Sequence, residues 1–285
     1  MSRSRFFSTI KGFPNMPTIQ QAVNQMKADL ESAIKERGSK GKESLIRSSR
    51  LVNLLHEAVK DSLIQSGITG DQIKPPLGAS KPELNLYGQL KNKNQDVAVI
   101  PNALEFDPED ILTGYHLGET DSIGQAASER VLSINIRTQL SSLDKNFDTL
   151  YERTIAEAIN LHARCPRICL GELYMIPVYE YDQEAIKKKK VQFSNKLCKL
   201  EKYLRAFEQV SNRVTTEGEL YKYEHVCLLI VDFSKETPKI YSTDAALKKD
   251  GLIPNASTAS IQGLTYSSFV PSLLETYRFR FPGLL

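Results

Sequence analysis

The stretch from Val131 to Arg164 constrains this chain more than any other. It opens on Val131-Leu132-Ser133-Ile134-Asn135-Ile136-Arg137, in which apolar and polar residues alternate. Side chains on a strand repeat every two residues, so Leu132, Ile134 and Ile136 share one face and Ser133, Asn135 and Arg137 share the other. A short polar loop over residues 139–146 then leads into a helix predicted from Phe147 to Arg164. Leu150, Tyr151, Ile155, Ala158 and Leu161 recur at helical spacing on its inner stripe, while Glu152, Arg153, Glu157 and Asn160 ride its flanks. A strand with a polar row, followed by a helix rimmed with acids and bases, predicts one wall of a charged cleft.

Around this unit the pattern alternates helices with short apolar runs. Thr18 is placed to cap a helix to about Arg37, with Gly38-Ser39-Lys40-Gly41 as a break. A second helix is expected over Glu43 to Gln65, ended by Gly67. Residues 71–82 are proline-rich loop, and Asp96 then stands at the mouth of Val97-Ala98-Val99-Ile100, an apolar run of the kind buried at a sheet centre. Residues 102–129 read as a long loop, with Asp107-Pro108-Glu109-Asp110 as a short helical turn. Beyond the Val131–Arg164 unit, a strand over Ile168–Pro177 precedes a long amphipathic helix over Asp182 to Ser211 that carries Lys187 to Lys190. Four lysines in succession point around most of a helix, so they predict a solvated face. Strands at 225–233 and 238–242 and a helix at 268–277 complete the chain. This order predicts an α/β fold, a central mixed sheet flanked by helices, as a single domain over 1–285. Its core would span about 43–233, with residues 182–213 as a possible helical arm.

The composition is that of an ordinary globular protein, with 41% hydrophobic and 25% charged residues and a formal charge of +3. That charge permits a polyanionic partner without requiring one. The four cysteines, Cys165, Cys169, Cys198 and Cys227, form no Cys-x-x-Cys pair, and His162 is the only histidine near them. Reduced buried thiols are expected rather than zinc ligation. Residues 1–11 are rich in Arg and Ser but lack an apolar run fit for a signal peptide, and no run of apolar residues is long enough to span a membrane. A cytoplasmic location without membrane association is the expectation.

Candidate chemistry gathers where Asp96 and the Ser133-Asn135-Arg137 row would converge, if their strands are neighbours. Glu157 on the helix adds a second carboxylate, and two carboxylates can share a divalent metal that activates water against a phosphate. Arg137 or Lys145 would contact that phosphate. The plainer alternative is that Asp96 caps a strand, Asn135 bonds within the sheet, and Arg153 and Glu157 form an i,i+4 surface pair. The glycine-rich signatures of nucleotide-binding loops and the Gly-x-Ser-x-Gly of serine hydrolases are absent, and the four histidines are isolated.

On Gln95-Asp96-Val97-Ala98-Val99-Ile100, Ser133-Ile134-Asn135-Ile136-Arg137 and Glu157-Ala158-Ile159-Asn160-Leu161, the sequence resembles the type II restriction endonucleases with a variant PD-(D/E)xK nuclease core. In these nucleases an acid opens an apolar strand, and a second acid and a lysine lie two residues apart on the next. One branch replaces the second acid with Ser and recovers the carboxylate from the following helix. The resemblance therefore implies a restriction-endonuclease-like fold in which Asp96 matches the first acid, Ser133 the substituted position and Glu157 the relocated carboxylate. Asp96 and Glu157 would then hold Mg²⁺. Asn135 stands where the lysine usually lies, and a shifted frame gives that role to Arg137. Arginine holds phosphate but stays protonated, so otherwise a lysine must come from elsewhere, with Lys91, Lys93 and Lys145 as candidates.

The activity so implied is sequence-specific, Mg²⁺-dependent cleavage of double-stranded DNA by a homodimer within a restriction-modification system. Gln139, Ser141, Ser142, Lys145 and Arg153 would reach the DNA. The rival reading is a non-catalytic DNA- or protein-binding module whose nuclease core has lost its lysine. An accessory protein with no nucleic-acid role is a third.

Overall fold

The computed structural model describes residues 18–285; the N-terminal segment 1–11 discussed above lies outside them. Helix α1 spans Ile19–Arg47 and starts in a capping box, the Thr18 hydroxyl accepting from the Gln21 N–H and the Gln21 side chain accepting from the Thr18 N–H. Its stripe of Ala22, Val23, Met26, Leu30 and Ile34 is buried. The break expected at Gly38–Gly41 is a kink inside the helix. Gly38 takes φ 57°, and a Cβ there would stand 2.8 Å from the Ile186 carbonyl oxygen. The chain instead turns at Ser48, so α2 runs over Arg50–Gln65 rather than from Glu43.

Strand β1 (Ile73–Lys74) is followed by a ribbon of β2 (Leu84–Tyr87) and β3 (Asn92–Gln95), and then by β4 (Val97–Val99). The expected long loop holds only β5 (Glu109–Asp110), β6 (Thr120–Asp121) and α3 (Gln125–Ser128). Next come β7 (Leu132–Thr138), α4 (Leu143–Arg164) and β8 (Cys169–Pro177). The helix expected over 182–211, and with it the arm over 182–213, is replaced by three elements. After β9 (Tyr179–Tyr181), α5 covers only Gln183–Lys187, β10 covers Phe193–Leu197 and α6 covers Leu200–Gln209. Lys189 adopts φ 58° and ends the first helix, and β10 then pairs antiparallel with β9. All four of Lys187 to Lys190 are exposed. The chain closes with β11 (His225–Asp232), β12 (Lys239–Tyr241), α7 (Asp244–Lys249) and α8 (Tyr266–Arg280).

Six strands form the central sheet in the order β1-β4-β7-β8-β11-β12. The β1/β4, β4/β7 and β11/β12 pairs are antiparallel, and β7/β8 and β8/β11 are parallel. Alternation sends Val97, Leu132, Ile134, Leu173 and Leu229 to one face, where they pack with the stripes of α1 and α2 and with Leu273 and Leu274 of α8. Ala98, Leu170, Tyr174, Leu228 and Ile230 face the other way, against Ala158 and Leu161 of α4 and Leu204 and Phe207 of α6. Cys165, Cys169, Cys198 and Cys227 are free and buried. No described helix is long and apolar enough to cross a membrane.

At the entry to β11 the core holds a carboxylate. Glu224 accepts from the Leu170 N–H at 2.7 Å, Arg280 Nη1 at 2.9 Å and Arg213 Nη1 at 3.2 Å, with His162 Nε2 at 3.5 Å. Arg213 also donates to the Pro166 and Thr216 carbonyls, and Arg280 to that of Ile168. Burial works against ionisation of Glu224, but His162 and Arg280 prevail and hold its pKa below the ordinary value. Removing one partner from such a network leaves buried charge uncompensated. Glu224→Gln is expected to lower the unfolding free energy in urea by about 3–5 kcal/mol; a loss below about 1 kcal/mol would show that the network is dispensable.

Candidate active site

Asp96 links β3 to β4, where the chain passes from the ribbon into the sheet. Its Oδ2 accepts from the backbone N–H of Ile136 at 2.8 Å, so this carboxylate is tied across to β7. The β4/β7 register pairs Val97 with Ile134, and one step further sets Asp96 beside Asn135. In the parallel register of the next pair, Asn135 lies opposite Glu172 of β8. Asp96, Asn135 and Glu172 therefore stand side by side on three adjacent strands, on the face covered by α4.

Two cations enter this row. Lys93, from β3, donates from Nζ to Asn135 Oδ1 at 3.0 Å and also to Glu157. Arg137 donates from Nη2 to Glu157, and its Nε stands 3.0 Å from Glu172 Oε1. Arg153, one turn before Glu157 on α4, adds a third contact to that carboxylate at 3.2 Å. The ribbon that carries Lys93 is fastened to the same helix. Asn160 Oδ1 accepts from the Leu90 and Lys91 N–H groups at 2.8 and 3.0 Å, and Asn160 Nδ2 donates to the Lys91 carbonyl at 2.8 Å. Gly88 leaves room for this clamp, since a Cβ there would lie 2.1 Å from Asn160 Nδ2.

Burial is graded across the cluster. The Glu172 side chain is 0% exposed, those of Lys93, Arg137 and Glu157 are 15–17% exposed, and that of Arg153 is 65% exposed, so the cluster opens to solvent on the Arg153 side. Both Glu172 oxygens, Asn135 Nδ2 and Arg137 Nη1 are buried without a hydrogen-bond partner. The contact between Arg137 Nε and Glu172 is close enough for Coulombic attraction but is too far off line for a hydrogen bond. Burial pushes the Glu172 carboxyl up to about 7, against the pull of Arg137 and Lys93 and with help from Asp96. Burial, reinforced by Arg137, brings the Lys93 ammonium down to about 8. Burial is the largest influence on Arg137 and opposes its charge, but Glu172, Tyr223 and Asp96 together outweigh it and raise that pKa.

Of the residues expected from sequence, Asp96, Asn135, Arg137 and Glu157 come together here. Ser133 does not join them: it is buried with its hydroxyl bonded to Gln95. Gln139, expected at the DNA, is turned into the core, where its Oε1 accepts from the Tyr203 and Tyr174 hydroxyls at 2.7 and 2.9 Å and its Nε2 donates to the Leu143 carbonyl at 3.0 Å. Ser141, Ser142 and Lys145 lie at the start of α4, which begins at Leu143 rather than Phe147. They line a cavity of about 350 Å³ with Lys42, Glu180 and Lys196, and Glu180 accepts from the Ser142 and Leu143 N–H groups. Arg153 is not part of that cavity and stands at the exposed edge of the charged cluster, on Glu157. Glu172 was missed from sequence because it sits inside the apolar Ile168–Pro177 run; a lone acid in such a run was the signal available. Among the described residues, no group of three or more His, Cys, Asp or Glu is arranged to hold a metal ion. Compared with known proteins, the chain matches no family model, no curated protein and no solved structure.

The raised carboxyl of Glu172 has a consequence for stability. Between its ordinary value of 4.5 and about 7, the folded chain keeps a proton that the unfolded chain releases. Stability therefore falls as pH rises through that window, and the full cost is present above it. In urea titrations in metal-free buffer, raising the pH from about 5 to about 8 is expected to cost the wild type on the order of 1–3 kcal/mol through this group. Glu172→Gln should flatten the profile; an unchanged slope would assign the pH dependence to other groups.

Proposed function

We propose that this chain is a Mg²⁺-dependent endonuclease that hydrolyses phosphodiester bonds in double-stranded DNA at specific sequences. It would act as a cytoplasmic homodimer in a restriction-modification system. The observation that carries this reading is the contact of Lys93 Nζ with Asn135 Oδ1 at 3.0 Å. Asn135 stands where the nuclease pattern calls for lysine, and the ammonium missing from that strand arrives at the same point from β3. The element order adds support: helices, the antiparallel β1, β4 and β7, then α4 and the parallel β8 follow the helix–strands–helix–strand order of that nuclease core.

The donor chemistry suits a hard cation. Mg²⁺ is commonly held by one or two carboxylates, with water and substrate phosphate completing the shell, so a cage of three acids is not needed. Asp96 would supply one carboxylate, and the buried Glu172 oxygens, which have no hydrogen-bond partner, support the reading as further acceptors. When bound, the metal would lower the pKa of a water and offset charge developing on the phosphate. The protein's own groups do the rest. Arg137, with Nη1 free of protein partners, would hold a phosphate oxygen. Lys93, with its pKa near 8, can hold or surrender a proton close to neutral pH at the position of the attacking water. Asn135 orients that ammonium through its carbonyl oxygen. Lys145 and Arg153, both exposed on α4, and the hydroxyls of Ser141 and Ser142 are suited to the DNA backbone.

A second reading has an observation of its own. Glu157 is engaged by Lys93, Arg137 and Arg153 together, which fits a module that binds DNA without cutting it.

Incubation with long mixed-sequence DNA separates the two. The nuclease gives discrete bands with Mg²⁺ and none with EDTA, whereas the binding module gives only a gel shift that weakens steeply with salt. Asp96→Ala should abolish cleavage and leave the shift, and Lys93→Ala should slow cleavage about 10²- to 10⁴-fold. Cleavage at the wild-type rate by Asp96→Ala would rule out this site.

A further inference from the structure

We infer that Glu172 is the carboxylate that joins Asp96 in holding a divalent cation, and that Glu157 instead holds Lys93 and Arg137 in position. This rests on the nuclease reading and assigns its metal ligands.

The first argument is placement. Asp96 and Glu172 flank Asn135 from the two neighbouring strands, on one face of the sheet. Adjacent strands lie about 4.8 Å apart, so an acid from each side can lean over the middle strand toward a common point above the Asn135 amide.

The second argument is what each carboxylate already does. Asp96 Oδ2 is taken by the Ile136 N–H, while its Oδ1 has no protein donor among the described residues. Glu172 has both oxygens buried with no donor of their own, since the Tyr223 hydroxyl beside them gives its proton to the Thr154 carbonyl at 2.9 Å, an arrangement that is costly for an ionised carboxylate unless a further group completes it. A hard cation ligated by oxygen is such a group. Glu157 is the opposite case. Oε2 faces Lys93 and Arg137, and Oε1 faces Arg153, so ligating a metal there would mean giving up contacts with three cations.

The third argument is charge. Once Glu172 is ionised, Asp96, Glu157 and Glu172 face Lys93, Arg137 and Arg153, three acids against three bases, with the His56 imidazole also near Asp96. A dication on Asp96 and Glu172 takes over the neutralising role that Arg137 Nε now plays toward Glu172. It leaves the site net positive, which suits an arriving phosphate, and it frees the guanidinium to meet one. Asn135 Nδ2 and Arg137 Nη1, both unpartnered, then supply donors beside the metal for phosphate or water oxygens.

Mn²⁺ titrated into the full-length protein without DNA, followed by calorimetry and by the electron paramagnetic resonance signal of free Mn²⁺, tests the assignment. Wild type is expected to bind Mn²⁺. Asp96→Asn and Glu172→Gln should each weaken binding by more than about a hundredfold, beyond the roughly 10- to 100-fold typical of losing a group that only supports the ligands. Glu157→Gln, which reaches the ligands only through Lys93 and Arg137, should lose about tenfold at most. Three results would overturn it: no Mn²⁺ binding by wild type at millimolar metal, wild-type affinity in Glu172→Gln, or a loss in Glu157→Gln as large as in Asp96→Asn. The Glu157→Gln arm decides even if Glu172→Gln does not fold, because that side chain is on a helix flank and partly exposed. The two readings also fail separately. Mn²⁺ binding that depends on Glu172, without DNA cleavage, removes the nuclease activity and keeps the ligand assignment. DNA cleavage lost in Asp96→Asn, with Mn²⁺ binding indifferent to Glu172→Gln, keeps the activity and removes the assignment.

Discussion

The parallel pairing of β7 with β8 is the constraint on which the rest of this structure depends. Parallel neighbours cannot be joined by a tight turn, so the chain between them must cross the whole sheet and return. That crossing is α4, and its apolar residues Ala158 and Leu161 can be buried only by lying on one face. The face so covered is the one bearing Ser133, Asn135 and Arg137. The flank of α4 is thereby brought over the polar row, and Glu157 meets Arg137 although 20 residues separate them. The same pairing, through its register, sets Glu172 opposite Asn135. Without the crossover there would be polar residues on a strand but no enclosed cluster.

The sheet buries two carboxylates completely and treats them in opposite ways. Glu224 is supplied with donors on every side, a backbone N–H and two guanidinium groups, and its pKa lies below the ordinary value. Glu172, on the neighbouring strand, has no donor in line and its pKa rises to about 7. The first pattern is that of a group that joins segments: Glu224 ties the chain after α6 and the end of α8 to the start of β8. The second is that of a group held ready for something else, since natural cores rarely leave buried acceptors unmade without a use for them.

Much of the sheet was legible in the sequence, because its central strands are apolar or alternate cleanly: Leu132 to Thr138, Cys169 to Pro177 and His225 to Asp232 fall close to where the pattern puts them. The helix at Thr18 was equally plain from its cap. What escaped notice has physical reasons. Phe193 to Leu197 mixes two apolar residues into a polar run, and only pairing with β9 makes it a strand. Asn92 to Gln95 is wholly polar and has no period to detect, so the strand that delivers Lys93 could not be seen even though Lys93 itself stood out as a spare lysine. Asp96, Asn135, Arg137 and Glu157 were readable as candidates because each sits at an edge of a periodic segment. Glu172 was not, since its significance lies entirely in register with Asn135, and register is a property of two strands rather than of one. Gln139 misled for a related reason: a polar residue just past a strand reads as loop, whereas the early start of α4 closes over it.

The clamp of Asn160 on the turn at Leu90 and Lys91 divides ownership of the cluster. Asp96, Asn135, Arg137 and Glu172 belong to the sheet, whose geometry is fixed by backbone pairing. Lys93, Glu157 and Arg153 belong to a separate assembly of ribbon and helix, joined by three hydrogen bonds from one side chain. The two halves face each other like the jaws of a vice, meeting through Lys93 and Asn135 and through Arg137 and Glu157. Lysine and helix carboxylate are thus geared together: whatever sets the height of α4 above the sheet sets the gap for both, and a single amide one turn beyond Glu157 fixes the alignment of that jaw.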